Sequence, residues 1–144
     1  HGYYACVSFI DAQLGRLMAA LEASGQAENT IVVIWGDHGW QLGEHGMWNK
    51  HSCFETSMHA PLMIAAPGIR GGTRTASLTE FIDIYPTLCD LSSLEKPEHL
   101  EGVSLLPWLN DPATPGKPLA VGRFVAGDTI RTDTLRYTEY RKNR

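Results

Sequence analysis

At 144 residues, with 43% apolar and 19% charged residues, the chain has the make-up of one soluble globular domain or part of one, and could bury roughly 68–70% of its unfolded surface if it closed its own core. A net charge of −4 without a basic stripe argues against a nucleic-acid partner, and no apolar run approaches the ~18 residues of a membrane span. The three cysteines, widely spaced, fit neither a disulfide framework nor a zinc site.

Tyr3, Val7, Ile10, Leu14, Leu17 and Leu21 recur at spacings of four and three, which predicts an amphipathic helix over 3–23 packed on a sheet. Gly25 is its left-handed cap, and Asp11, near the apolar face, reads as a hydrogen-bonded structural carboxylate. Cys6 here and Cys89 further on fall in helical patterns and read as buried small hydrophobes. There is no signal-peptide pattern. The opening at His1, straight into a helix, is what a piece of something longer would show.

After a polar connection, Ile31–Trp35 is a β-branched run bounded by turn residues, read as a buried strand of a parallel sheet. Helix, short loop and buried strand are the rhythm of an α/β protein. Residues 39–52 have no period and carry Gly39, Gly43, Gly46, Trp40, Trp48, His45 and His51; a long loop of this kind reads as functional. A helical turn is predicted over 54–59 and a second buried strand over 61–66, stopped by Pro67-Gly68, with a solvated basic loop over 69–77. Residues 79–91 form a second amphipathic helix with Thr79 as N-cap and a kink at Pro86. Proline-rich 111–118 is an irregular linker. A strand over 119–125 and a hairpin of 129–132 with 135–140, turning near Asp133, complete the chain.

Ligands of α/β sheets sit beyond the carboxyl ends of strands, where Asp37 and His38 fall. A carboxylate beside an imidazole suits a divalent cation, although two donors cannot hold a metal alone. Lys50, across the glycine-rich loop, is a compact charge suited to a phosphate-like or sulfate-like oxyanion beside that metal. The competing reading is a capped turn in which Asp37 and His38 bond backbone.

The stretch DHGWQLGEHGMWNKHSCFETSMHAPLMI resembles the second active-site block of the sulfatases, in the alkaline-phosphatase-like superfamily. Within them it is most similar to iduronate-2-sulfatase, with choline sulfatases and phosphonate monoester hydrolases as cousins. Asp83, Pro86 and Thr87 match a sulfatase Asp-x-x-Pro-Thr helix, 102–109 match the segment after it, and Ile130-Arg131-Thr132 with Arg136-Tyr137 match the small C-terminal sheet. The resemblance implies an α/β fold: part of an alkaline-phosphatase-like sandwich with a mostly parallel sheet flanked by helices, plus the start of a small antiparallel sheet. Residues 1–110 would be the C-terminal part of the catalytic domain, 111–118 a linker and 119–144 the start of the small subdomain.

The activity implied is hydrolysis of a sulfuric ester, on a small sulfated substrate such as an iduronate-2-sulfate-like sugar, with neither nucleic acid nor membrane as partner. Carried over by position, Asp37 and His38 are two calcium ligands, the His replacing the Asn of many arylsulfatases. Lys50 contacts the sulfate and assists the leaving oxygen. Trp40 either walls the pocket and stacks on a sugar or packs at its rim, and His45 either touches substrate or is structural. His59 either supports the site from behind or is structural, while Trp48 and His51 pack the loop.

The departure from the family is the nucleophile, a formylglycine made in a Cys-x-Pro-Ser-Arg type motif. Cys6 is followed by Val-Ser-Phe, Cys53 by Phe-Glu-Thr and Cys89 by Asp-Leu-Ser. The paired aspartates that complete the family's Ca2+ site are missing too. The resemblance therefore implies a C-terminal fragment with about half a site and its formylglycine upstream, inactive and a poor calcium binder alone. A phosphonate or phosphate monoester hydrolase would use the same three residues, and a non-catalytic fragment or pseudoenzyme module is the third reading. Family members are commonly exported or lysosomal, which implies a periplasmic, secreted or lysosomal setting.

Overall fold

The computed structural model describes residues 1–141, so the last three positions of the predicted C-terminal subdomain lie outside the described residues. Helix α1 spans Gly2–Ala23. Gly25 closes it at φ +70°, its N–H bonded to the Glu22 carbonyl at 3.0 Å. The predicted stripe is there, but Tyr3, Val7, Ile10 and Leu17 are 42–66% exposed and no residue of α1 is buried. The expectation of a helix packed on a sheet is corrected accordingly, since among the described residues no sheet lies against it. Cys6 is exposed for the same reason, whereas Cys89 is buried. Asp11 is likewise exposed and hydrogen-bonded by no side chain among the described residues, a second correction.

Strands β1 (Val32–Trp35) and β2 (Leu62–Ala65) pair antiparallel, Val32 opposite Ala65 and Trp35 opposite Leu62. The expected parallel pairing is therefore absent among the described residues. Parallel neighbours need a crossover that returns the chain to the same end. Here the connection 36–61 folds back on itself, and the Gly36 N–H donates to the Pro61 carbonyl at 2.9 Å. Trp35 and Met63 are more than half exposed, so neither strand is wholly buried. Short helix α2 (Glu55–Met58) lies within the connection.

The buried centre is farther along. A turn at Phe81–Asp83 leads into α3 (Ile84–Leu91), and α4 (Leu106–Asn110) follows. Cys89, Leu105 and Trp108 are buried together with Asp83, Pro86 and Thr87. The N-cap of the Phe81–Asp83 turn is Glu80, not Thr79: the Asp83 carboxylate accepts the Glu80 N–H at 2.8 Å in a reciprocal capping box. Pro86 falls in the first turn of α3, where its absent N–H matters little, so the helix starts there instead of kinking. The Trp108 indole N–H reaches the carbonyls of Thr114 and Pro115 and anchors the proline-rich connection.

Strands β3 (Ala120–Phe124), β4 (Gly127–Arg131) and β5 (Arg136–Tyr140) form an antiparallel meander. The β4–β5 turn is closed by the Thr132 N–H on the Leu135 carbonyl, with Asp133 in it as predicted. Two polar ties bind this sheet to the rest. Lys117 Nζ lies 2.9 and 3.1 Å from the fully buried Asp83 carboxylate and bonds Glu80, whose other oxygen accepts the Val121 N–H of β3 at 2.9 Å. Burial opposes the Lys117 charge, but the bonds to Glu80 and Asp83 outweigh it and raise its pKa. On the other side, Glu55 of α2 receives Arg131 Nε at 3.1 Å and Arg136 Nη2 at 2.6 Å. No helix among the described residues is long and apolar enough to cross a membrane.

Candidate functional site

Beyond β1 the chain makes a close approach to α2. The Gly39 N–H donates to the Ser57 carbonyl at 2.8 Å, and a Cβ on Gly39 would sit 2.1 Å from the Thr56 carbonyl oxygen. Only glycine fits there, and this fixes the direction of Asp37 and His38 just before it.

His38 Nδ1 is 2.7 Å from the Gly39 carbonyl oxygen. A carbonyl only accepts, so its partners put the proton on Nδ1 and leave a lone pair on Nε2. That lone pair takes a hydrogen bond from Lys50 Nζ at 2.5 Å and lies 3.4 Å from Asp37 Oδ2. A carboxylate oxygen and an imidazole lone pair thus share a small volume with a positive charge. A backbone carbonyl locking the second ring nitrogen is what metal-ligating histidines commonly have. The donor chemistry therefore fits part of a divalent-cation site, with Asp37 the harder donor, where a cation would take the Nε2 lone pair in place of the Lys50 ammonium. Its side chain is 83% exposed, and among the described residues no third His, Cys, Asp or Glu joins the pair.

Trp40 is attached to this cluster. Its ring is tilted against His38 at 6.0 Å and lies near-parallel to Tyr3 of α1 at 6.1 Å. The chain then forms a tongue: the Gln41 N–H donates to the Asn49 carbonyl at 3.0 Å and the Gly43 N–H to the Met47 carbonyl at 2.8 Å. Its tip, Glu44–Gly46, holds His45 at φ +58° and Gly46 at φ +70°. Beneath the base, the fully buried Gln41 amide donates to Ser57 Oγ at 3.0 Å and Ser52 Oγ at 3.1 Å. Lys50 is thereby delivered by a loop clamped to α2.

The structure brings Asp37, His38, Lys50 and Trp40 together. It does not bring His45 to them: that exposed ring stacks on Phe54 at 3.9 Å. His59 pairs with Glu55 at 3.6 Å, His51 stacks on Phe124 at 5.7 Å, and Trp48 is 70% exposed. Sequence reasoning missed Gln41, Ser52 and Ser57, since a polar residue in an aperiodic loop carries no mark of burial. It also took Tyr3 only as part of a helix face.

Comparison with known proteins gives a consistent result. The family model described as Sulfatase matches residues 1–94. A sulfatase of Formosa agariphila is 37% identical over 139 residues, 96% of this chain and 27% of that protein. Arylsulfatase K of Bos taurus is 41% identical over 105 residues, 73% of this chain and 19% of that protein. Among solved structures, a protein in complex with its substrate D-glucosamine-2-N,6-O-disulfate matches with a TM-score of 0.86 at 28% identity, over 93% of this chain and 30% of that one. The phosphonate monoester hydrolase of Silicibacter pomeroyi matches with a TM-score of 0.83 at 27% identity, over 91% of this chain and 30% of that one. The described helices and small antiparallel sheets thus form part of a known α/β fold. The chain spans 19–27% of the length of these curated relatives.

Proposed function

The chain belongs to the sulfatase family, and we propose that the protein carrying it hydrolyses a sulfuric ester of a sugar. One observation carries this reading: His38 Nε2 faces both Asp37 Oδ2 at 3.4 Å and Lys50 Nζ at 2.5 Å. In it, Asp37 and His38 provide two of the donors for a divalent cation, calcium by family resemblance, with further donors from outside these residues. Bound there, such a cation would offset negative charge spreading over the sulfuryl oxygens. Lys50 Nζ donates to one of those oxygens and holds a proton within reach of the leaving oxygen. Gly39 and the Gln41 clamp fix that geometry, and Trp40 walls the substrate side. His45, engaged by Phe54, enters only as a rim residue.

The nucleophile of this reading is a formylglycine outside the 144 residues, because none of Cys6, Cys53 and Cys89 stands in the motif that yields one. Residues 1–110 are assigned to the C-terminal part of the catalytic domain, and 119–144 to the start of a small subdomain after the 111–118 linker. An iduronate-2-sulfate-like ester is the preferred substrate, by resemblance of the Asp37–Lys50 stretch. The disulfated glucosamine bound as substrate by a structural neighbour supports the broader class of sulfated sugars.

Likeness to a phosphonate monoester hydrolase favours a second reading, in which the same three residues hold a phosphonate ester. The test is a panel of aryl sulfate, phosphonate monoester and phosphate monoester given to the protein with its upstream residues. Fastest turnover of the sulfate is expected, with Lys50→Ala lowering kcat/KM about 10²–10³-fold. Faster phosphonate turnover would move the assignment to the second reading, and indifference to Lys50→Ala would refute the site. The 144-residue chain alone is expected to leave the aryl sulfate intact.

A further inference from the structure

We infer that Ser57 of α2 is a positioning residue for Lys50: its buried hydroxyl sets where the root of that side chain stands relative to His38. The inference deepens, and rests on, the reading of Lys50 as the group that meets the leaving oxygen. Ser57 is 3% exposed, too deep to touch a substrate. Its two polar groups nevertheless hold both of the stretches that deliver the site. The carbonyl accepts the Gly39 N–H at 2.8 Å, just after His38 in the chain. The hydroxyl lies 2.7 Å from the Oγ of Ser52, just after Lys50 and His51.

The direction of the serine pair follows from its other partners. Ser52 Oγ receives Gln41 Nε2 at 3.1 Å and the Phe54 N–H at 3.3 Å, which takes both of its lone pairs. Its proton therefore goes to Ser57 Oγ, which also accepts Gln41 Nε2 at 3.0 Å. Ser57 is thus the acceptor for two buried donors, and both would be left unpaired without its hydroxyl. Lys50 hangs directly on these groups. The Ser52 N–H closes a tight turn onto the Lys50 carbonyl at 2.8 Å, and the Gln41 N–H holds the neighbouring Asn49 carbonyl at 3.0 Å. The ammonium stands at the end of a flexible stem, 2.5 Å from His38 Nε2, so a shift at its root is passed to its tip. Removing the hydroxyl leaves the Ser57 carbonyl on Gly39 in place. The Asp37–His38 side then keeps its anchor while the Lys50 side loses one.

Hydrolysis of phenyl sulfate and para-nitrophenyl sulfate by the protein with its upstream residues tests this, through the ratio of their kcat/KM values. Phenol is the poorer leaving group, so its ester depends more on a proton donor at the leaving oxygen. A merely structural role would lower the folded fraction and slow both esters alike, leaving the ratio where it was. Lys50→Ala is expected to widen the advantage of the nitrophenyl ester about tenfold, and Ser57→Ala about fivefold. Ser52→Ala, which cuts the same link from its other end, gives a similar widening, whereas Ser57→Thr keeps a hydroxyl and stays near the parent ratio. A parent-like ratio in Ser57→Ala or in Ser52→Ala, beside a widened one in Lys50→Ala, overturns the inference. So does an equal widening in Ser57→Thr, which would assign the effect to packing. If neither ester turns over, or Lys50→Ala leaves the ratio unchanged, Lys50 does not meet the leaving oxygen and the inference falls with that reading.

Discussion

Gly39 shows how a single missing side chain governs the site. Its N–H is bonded to Ser57, and its α-carbon lies so near Thr56 that an added methyl would meet backbone, which cannot swing aside. Gly39→Ala is expected to destabilise the protein by about 3 kcal/mol, read from the urea midpoint. Gly46→Ala, at φ +70° with nothing within 4 Å, should lose only about 1 kcal/mol from backbone strain. Equal losses would show that α2 does not press on the loop. At this scale the sequence was informative where chemistry is rare: a carboxylate, an imidazole and an ammonium around a glycine-rich turn. It was silent on Gln41, whose burial depends on two serines from later in the chain, and misleading on Cys6, whose helical position says nothing about what covers it.

Between elements, the two ionic ties differ in depth and should respond differently. Lys117 shares Asp83, which is fully buried, so Lys117→Met would strand a carboxylate and is expected to lower unfolding stability by about 3–5 kcal/mol. Because its folded pKa is raised above 10.5, its contribution is complete below that pH and fades as pH climbs through the folded value. Glu55 behaves in the opposite sense. Burial works to raise its pKa, but Arg136 and Arg131 outweigh that and hold it below the ordinary 4.5. Its contribution is present above pH 4.5 and is lost as pH falls through the lowered value. Stability measured against pH should therefore drop on the acid side, and Glu55→Gln should flatten that drop; an unchanged acid limb would mean that the tie does not stabilise the docked sheet. The hairpin itself was legible, since alternation around Asp133 is local. The capping of the turn that leads into α3 was not, because Thr79 looks like a cap until Asp83 is seen folding back on Glu80.

For the whole molecule, the feature that stands out is how much apolar surface is bare. α1 buries nothing, and Tyr4, Phe9, Ile10, Leu17, Trp35 and Met63 are each more than half exposed. Surface of this extent marks a contact face or an association hazard. The chain alone is expected to enhance the fluorescence of an anilinonaphthalene dye and to exchange the α1 amides far faster than those of α3; strong protection of α1 would contradict the exposed helix. The spacing that predicted α1 was correct, but a periodic stripe reveals only that a helix has an apolar side, not which partner meets it. The tongue between Gln41 and Asn49 has a different consequence. It is tied at its neck by backbone bonds on both rungs, so residues at its apex can be lengthened or exchanged without displacing the ammonium group behind it. Grafting new apices onto that neck is thus a route to retargeting the protein while its charge-bearing machinery stays in register.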